Sequence, residues 1–113
     1  MRRAEAGRRL LRIRITAEVD GVRSDYTITY GRYGRHNVAI GFAVARGDAP
    51  EVRKADAERF AAVIKALTGE EPKVYRRKNG QIVIECVRVN LDGFMRYAEL
   101  ADTIARWLEE TSR

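Results

Sequence analysis

The chain has 113 residues, 45% hydrophobic and 34% charged, and a formal net charge of +6. This length fits one domain, and the apolar fraction is too high for an intrinsically disordered chain. One cysteine and one histidine exclude internal disulfides, thiolate-rich metal sites and multi-histidine zinc sites. The sequence has no apolar stretch of membrane-spanning length and no signal-peptide pattern, so we expect a cytoplasmic protein with no membrane partner.

The positive charge is concentrated near the N-terminus. Six of the first 14 residues are arginines and one is a glutamate, whereas residues 90–113 carry an acidic excess. We therefore expect residues 1–9 to form a basic N-terminal arm and residues 10–113 to form a single α+β domain. This asymmetry is typical of polyanion-binding proteins. An arginine-rich source composition would produce the same excess, so both interpretations stay open.

Three strands are predicted in the first half of the chain. Residues 11–19 alternate between apolar and polar, Asp20-Gly21 is a two-residue hairpin turn, and residues 24–30 form the partner strand. Residues 31–37 are predicted to be a polar loop. In the third strand, 38–44, small residues alternate with larger apolar ones, and the small-residue face is expected to lie under a helix or close to a partner.

A helix is predicted from Asp48 to about Leu67. Asp48 serves as a capping acceptor with a glutamate three residues later, Pro50 lies in the first turn, and Gly69 ends the helix. The apolar positions recur at spacings of three and four, which indicates one buried face. Four polar positions of this helix are expected to face outward: Arg53, Asp56, Arg59 and Lys65.

A hairpin and a closing helix are predicted for the last third. Residues 74–78 and 81–89 flank Asn79-Gly80, a strong two-residue hairpin signal. The second of these strands is apolar on both faces for half its length, which is typical of a sheet interior. A long helix follows, capped by Asn90 or Asp92. Its apolar stripe consists of Leu91, Phe94, Met95, Ala98, Ala101, Ile104, Ala105 and Leu108.

The predicted fold is α+β, with an antiparallel sheet in the order β-β-β-α-β-β-α and two helices packed on one face. The opposite face of the sheet would then carry the polar strand positions. Arginine and lysine there would meet phosphates, and threonine hydroxyls bond either backbone or bases. A half-exposed antiparallel sheet shows polar residues outside in any case, so the basic bias is the feature that favours a nucleic-acid surface.

Around the segment 58–109, the strings FAAVIKALTGEEPKVYRRKNGQIVIEC (residues 60–86) and LDGFMRYAELADTIARWLEE (residues 91–110) resemble the PaRep paralogous repeat proteins of hyperthermophilic archaea. The resemblance extends from about Arg8 to the end and includes LLRIRITAEVDGV and GFAVARGDAP. Those families are themselves largely uncharacterised. The resemblance therefore implies little about activity.

The order of strands and helices is also similar to one half of a LAGLIDADG homing endonuclease, whose saddle-shaped sheet lies in the DNA major groove. In those enzymes the metal-binding acidic residue ends a leading helix. The nearest string in this chain, from Ala17 to Gly21, lies in a predicted hairpin, so Asp20 is interpreted as a turn residue rather than a metal ligand. The missing helix argues against cleavage activity, and fold analogy does not carry function.

Other catalytic interpretations are weaker. His36 has no cysteine, serine or acidic residue at a spacing typical of a catalytic pair, so it is interpreted as a loop residue rather than a general base. Cys86 is interpreted as a core residue rather than a nucleophile. Gly31 and Gly34 would let amides approach a phosphate, but no helix follows them. Three residues of the closing helix are predicted to be core or subunit-contact residues rather than a ligand cage: Met95, Tyr97 and Trp107.

We therefore predict a non-catalytic nucleic-acid-binding domain that needs no cofactor or metal, with DNA favoured over RNA. The alternative is a protein-interaction or scaffold module, either a homodimer or one domain of a longer repeat protein. Tyr33, flanked by two arginines, is the best local candidate for base stacking. The predicted nucleic-acid-binding residues are Arg12, Arg14, Thr27, Thr29, Arg32, Tyr33, Arg35, Lys73, Arg76, Arg77 and Lys78.

Overall fold

The computed structural model describes residues 1–7 and 9–112. Arg8, part of the predicted arm, and Arg113, part of the predicted domain, lie outside the described residues. Among those described, no helix is long and apolar enough to cross a bilayer. The elements are β1 (Arg2–Gly7), β2 (Leu10–Val19), β3 (Val22–Tyr33), β4 (Val38–Val44), α1 (Pro50–Thr68), β5 (Lys73–Arg76), β6 (Ile82–Cys86), α2 (Arg88–Phe94) and α3 (Ala98–Glu110).

The strands form one antiparallel sheet in the order β1-β2-β3-β4-β6-β5, and the helices cover one of its faces. The predicted α+β class is confirmed. The structure has one strand and one helix more than the predicted order, because the N-terminal segment is a strand and the closing helix is divided. The core between sheet and helices is built mainly from Leu11, Ile13, Ile28, Tyr30, Phe60, Ile64, Ile84, Leu91, Phe94, Leu100, Ile104 and Trp107.

The predicted basic arm is wrong for residues 2–7, which form edge strand β1 and pair with β2 from Arg2 opposite Ile15 to Gly7 opposite Leu10. Arg2 lies on the helix side of the sheet. Its guanidinium donates to Glu99 at 3.1 Å and lies 4.4 Å from the Tyr97 ring centre. Backbone pairing and these contacts with α3 fix the segment to the domain.

The first hairpin has the predicted turn and a longer second strand. Asp20 and Gly21 have φ values of 50° and 79°, as a two-residue hairpin turn with matching strand twist requires. The partner strand continues to Tyr33, opposite Val38 of β4. The predicted loop 31–37 is therefore shortened to residues 34–37, which places Arg32 and Tyr33 on opposite faces of a strand.

The N-cap of helix α1 lies one residue after the predicted cap, Asp48. Ala49 is the N-cap residue, and no side chain caps the helix, so the predicted role of Asp48 is wrong. The end is as predicted, with Gly69 at φ 81° and its N–H donating to the Lys65 carbonyl. Asp56, predicted to face outward, is buried because its carboxylate accepts the backbone N–H of Arg46 at 2.7 Å.

The second hairpin has a three-residue loop rather than the predicted two-residue turn. The N–H of Arg77 donates to the Gln81 carbonyl at 2.8 Å, and the N–H of Gly80 donates to the Arg77 carbonyl at 3.0 Å. In this loop Gly80 has a positive φ, 87°, and Asn79 does not. A two-residue turn of the predicted kind would need a positive φ at both residues.

The predicted strand 81–89 ends at Cys86, and the closing helix starts earlier than predicted and divides in two. The Asn90 side chain causes the early start: its oxygen accepts the Val87 N–H at 2.9 Å and its amide donates to the Glu70 carbonyl at 3.0 Å. Asn90 thus lies inside α2 and does not precede it. The division comes at residues 95–97, where Arg96 reaches back to the Thr68 carbonyl at 3.0 Å.

Gly93→Ala is expected to destabilise the protein by about 2 kcal/mol, because packing inside the core is tight. An added Cβ would lie 2.5 Å from the Thr68 Cβ and 2.7 Å from its backbone oxygen. This clash outweighs the gain of about 1 kcal/mol that alanine brings inside a helix. Urea denaturation measures the effect. Gly7→Ala is the matched control, since open space surrounds Gly7, and an equal loss in both variants would contradict the packing argument.

Candidate nucleic-acid interface

The face of the sheet opposite the helices is solvent-exposed over most of its area, and we call it the open face. Antiparallel partners share a face, so the strand registers assign its members. They are Arg3, Glu5, Arg12, Arg14, Thr16, Glu18, Arg23, Asp25, Thr27, Thr29, Tyr33, Val38, Ile40, Phe42, Val44, Lys73, Tyr75, Val83 and Glu85. The predicted placement of Arg12, Arg14, Thr27 and Thr29 on one exposed face is confirmed.

The β1–β2 side of the open face carries three arginines, Arg3, Arg12 and Arg14, and two glutamates, Glu5 and Glu18. Arg3 and Arg14 both approach the Glu5 carboxylate, at 3.2 Å and 3.5 Å, and all three side chains are about half exposed. Arg12 stands opposite Glu5 in the register and makes no ion pair within residues 1–7 and 9–112. Exposed ion pairs of this kind contribute little to stability, so phosphates can compete for both arginines.

The β4 side of the open face is apolar and aromatic. The Tyr33 ring, 42% exposed, meets Phe42 edge to face with centroids 5.6 Å apart, and it covers the backbone of Gly31. Val38 and Val44 at the ends of β4 are also exposed. Tyr75 of β5 adds a second exposed ring, whereas Phe42 is half-buried. The open face thus combines arginines, a row of threonines on β3 and aromatic rings.

The small residues of β4 explain why its large side chains point outward. Ala39, Gly41 and Ala43 face the helices, as the sequence pattern allowed. A Cβ on Gly41 would lie 2.7 Å from the Tyr30 ring, which fills the space above it. The bulky alternate residues therefore go to the open face.

Arg32 lies on the opposite face from the other predicted binding residues. Its guanidinium donates to the Thr111 hydroxyl, the Asn37 carbonyl and the Leu108 carbonyl, each at 3.0 Å, and its Cζ lies 5.1 Å from the Trp107 ring centre. Burial lowers the pKa of Arg32, as do the nearby charges of Arg88 and Arg9. Arg32 thus holds the C-terminal turn of α3 and is not available on the open face.

The predicted basic residues of the second hairpin are divided between two surfaces. Lys73 lies on the open face, 4.0 Å from Glu85. Arg76 shares the helix side with Ile82, and Arg77 and Lys78 lie at the hairpin loop. Arg35 is exposed in the loop 34–37. The structure therefore does not bring these residues together with Arg12 and Arg14 in one patch.

The other residues that the sequence analysis considered as catalytic or ligand-binding candidates lie in a turn, in a loop, in a strand or against the core. Asp20 is the turn residue that the alternation predicts, and His36 is exposed in the loop after β3. Gly31 lies within β3 and only Gly34 lies in the loop that follows, so the weaker interpretation of the two glycines as one phosphate-binding loop gains no support. Trp107 packs in the core, and Tyr97 donates to the Leu67 carbonyl at 2.7 Å. In the described part of the chain, no three His, Cys, Asp or Glu side chains are grouped as metal ligands would be.

Cys86 is expected to resist alkylation by iodoacetamide at about pH 8 in the folded protein, because the thiolate is the nucleophile. Burial raises the pKa of its thiol to about 12; the Glu85 charge adds to this rise and a hydrogen bond with Tyr30 opposes it. The thiol is fully buried. Mass spectrometry should show labelling only after urea is added. Rapid labelling without urea would contradict the core position.

Sequence reasoning missed two groups near the open face. Ile40 and Phe42 are absent from the predicted binding residues, although the predicted position of Ala39, Gly41 and Ala43 under a helix assigns the alternating larger residues to the opposite, open face. Asp56 gave no such signal, because its partner is a backbone N–H ten residues away.

Comparison with known protein families, curated proteins and solved structures finds no match to this chain. The fold and the open face therefore carry the functional argument by themselves. The resemblances to the PaRep proteins and to the LAGLIDADG endonucleases stay predictions.

Proposed function

We propose that the protein binds a nucleic-acid strand on the open face, without cleaving it. The observation that carries the proposal is the combination on one surface of Arg3, Arg12 and Arg14 with the aromatic pair Tyr33 and Phe42. Proteins that bind single strands combine positive charge along the backbone with aromatic rings on which bases stack. The arrangement favours a single strand because stacking needs bases that are not already paired.

The distance between the arginines and the aromatic rings of the open face suits the binding of one nucleic-acid strand. Arg12 and Arg14 on β2 are one strand away from Thr27 and Thr29 on β3, and Phe42 on β4 stands opposite Thr29. Neighbouring strands are about 4.8 Å apart, so the arginines of β2 and the Phe42 side chain of β4 are about 10 Å apart. A strand running along β3 would place its phosphates toward β2 and its bases toward β4.

Fluorescence anisotropy with labelled single-stranded DNA, single-stranded RNA and double-stranded DNA tests this proposal over a salt series. We expect the single strands to bind more tightly than the duplex, with affinity falling as salt rises. Phe42→Ala should weaken single-strand binding by roughly 10-fold, which lies in the lower half of the range for one lost stacking contact. Val22→Ala, an exposed residue beside the first hairpin turn, is the control. No binding at low salt would overturn the proposal.

A second candidate function is protein docking through the same face. The observation that favours it is the exposure of Val38 and Val44, which have no part in stacking and flank Phe42 on β4. A second copy could cover these residues by face-to-face sheet packing. Sedimentation equilibrium at rising concentration tests this. Docking is favoured if the protein forms a dimer that the Val38→Lys substitution dissociates but that added single-stranded nucleic acid does not dissociate.

A further inference from the structure

The sheet divides between β3 and β4 and leaves a crevice there. β4 pairs with β3 only over residues 38–42, while its residues 41–44 pair with β6. Residues 22–28 of β3 therefore have β2 on one side and no strand on the other within the described chain. The inner part of the crevice has a volume of about 200 Å³ and is closed on the helix side by Phe60 of α1.

One wall of the crevice presents unsatisfied backbone groups of β3. A two-residue hairpin closes with a hydrogen-bonded pair, here Val19 and Val22, and the pairing then alternates along the strands. By this alternation the backbone N–H and C=O groups of Tyr26 bond to β2. The backbone N–H and C=O groups of Asp25 and Thr27 point away from β2 and into the crevice. Backbone polar groups of this kind need a partner, from water or a ligand.

The facing wall presents the backbone of Val44. The N–H of the next residue, Ala45, donates to the Ile82 carbonyl of β6 at 2.9 Å. Alternate residues of a strand direct their backbone groups to opposite sides, so those of Val44 face β3 across the crevice. Donors and acceptors thus line both walls.

Side chains add a polar end to the crevice, where Asp56 and Tyr26 are buried and Arg46 is exposed. Asp56 is 5% exposed and holds the Arg46 N–H at 2.7 Å, while the Arg46 guanidinium carbon lies 5.8 Å from the Tyr26 ring centre. Tyr26 lines the crevice and is 2% exposed, and its hydroxyl has no hydrogen-bond partner among the residues that the structure describes. A buried hydroxyl without a partner is costly, so a ligand that supplies one is favoured.

We propose that this crevice binds one base of the nucleic-acid strand that the open face holds, an inference that rests on the proposed function. The edge of a base carries donors and acceptors side by side, which matches two strand walls with both kinds of group. The charges in the crevice are mixed, Arg23 and Arg46 with Asp25 and Asp56, and therefore suit a neutral polar ring better than a free anion or cation. Arg14 stands opposite Thr27 in the register, so a phosphate bound there adjoins the crevice.

Amide hydrogen exchange by NMR, followed for Asp25, Thr27 and Val44, tests the inference. The probes are single-stranded oligonucleotides of about seven nucleotides, one per base type, and the free nucleoside monophosphates. With the preferred base we expect these three amides to exchange at least about tenfold more slowly. Tyr26→Phe should weaken binding of the same probe by roughly threefold to tenfold. Arg106→Ala, on the exposed side of α3, is the control and should change nothing.

The outcomes separate this inference from the proposed function. Strand binding that leaves the three amides unprotected would overturn the base site and leave the open face standing. If oligonucleotides fail to bind but a monophosphate protects the amides, the crevice is supported as a base site and the open-face function fails. If neither probe protects the amides and no oligonucleotide binds, both are overturned.

Discussion

Replacing Arg12 and Arg14 together by glutamate is expected to weaken single-strand binding by roughly 100-fold at about 50 mM salt. Both side chains lie on the open face of β2, next to the threonine row where the strand is proposed to run. The loss of two phosphate contacts should also lower the slope of log affinity against log salt by about 1.4 units. Anisotropy titrations at several salt concentrations measure both quantities.

The matched control is Arg76→Glu with Arg77→Glu, which changes the net charge by the same amount away from this patch. Arg76 lies on the helix side of β5, and Arg77 lies in the hairpin loop. We expect this pair of changes to weaken binding by no more than about threefold, through the long-range field alone. Equal losses in the two double variants would show that net charge, and not the open face, causes the binding.

Glu5 provides a test with the opposite sign. Its carboxylate contacts Arg3 and Arg14, at 3.2 Å and 3.5 Å, and therefore competes with phosphate for both. Glu5→Gln is expected to strengthen binding by roughly threefold, because it removes the carboxylate that competes with phosphate. The fold should not be affected, since the exposed ion pairs that are lost contribute little to stability. Weaker binding in this variant would mean that Glu5 positions the arginines instead of competing for them.

The parts of the fold that the sequence predicts well are those set by neighbours in the chain. The first hairpin follows from period-two alternation and the Asp20-Gly21 turn, and helix α1 follows from its apolar spacing and Gly69. The polar side of the open face follows from the same alternation, since successive strand residues point to opposite faces. These features need no knowledge of distant contacts.

The parts that the sequence does not predict depend on contacts between distant segments. β1 has Arg2, Ala4 and Ala6 on its inner face and no large apolar residue there, so its hydrophobic periodicity is weak, and its partner strand decides its conformation. The early start of the closing helix depends on Asn90, which bonds to the Glu70 carbonyl, and its division lies at Arg96, which bonds to the Thr68 carbonyl. The crevice exists because β4 changes partner from β3 to β6, which no local pattern encodes.

Arg32 shows how the same limit affects a functional prediction. Beside Tyr33 and near Arg35 it fits a basic binding loop in the sequence, but its partners Leu108 and Thr111 lie 76 and 79 residues away. It supplies a cation and two directed donors to the C-terminal turn of α3, where unpaired carbonyls and the helix dipole favour positive charge, and its third donor goes to the Asn37 carbonyl. The residue should therefore matter for stability and not for binding.

Arg32→Ala is expected to lower the free energy of unfolding by about 3 kcal/mol, because it leaves the carbonyls of Leu108 and Asn37 without their donor and removes the cation over Trp107. The melting temperature should fall by roughly 12 °C. Arg32→Lys should recover less than half of this loss, since one ammonium group cannot reach three acceptors that a planar fork reaches. Urea denaturation and calorimetry measure these effects.

The control for Arg32 is Arg35→Ala, in the exposed loop 34–37, which should change stability by less than about 0.5 kcal/mol. At a temperature where the Arg32→Ala variant is fully folded, its affinity for single strands should stay within about twofold of the parent, since the side chain points away from the open face and contributes only to the general field. A stable Arg32→Ala protein that has lost binding would place the interface at the end of α3. Unchanged affinity together with reduced stability would assign Arg32 to the fold and leave binding to the arginines of β2.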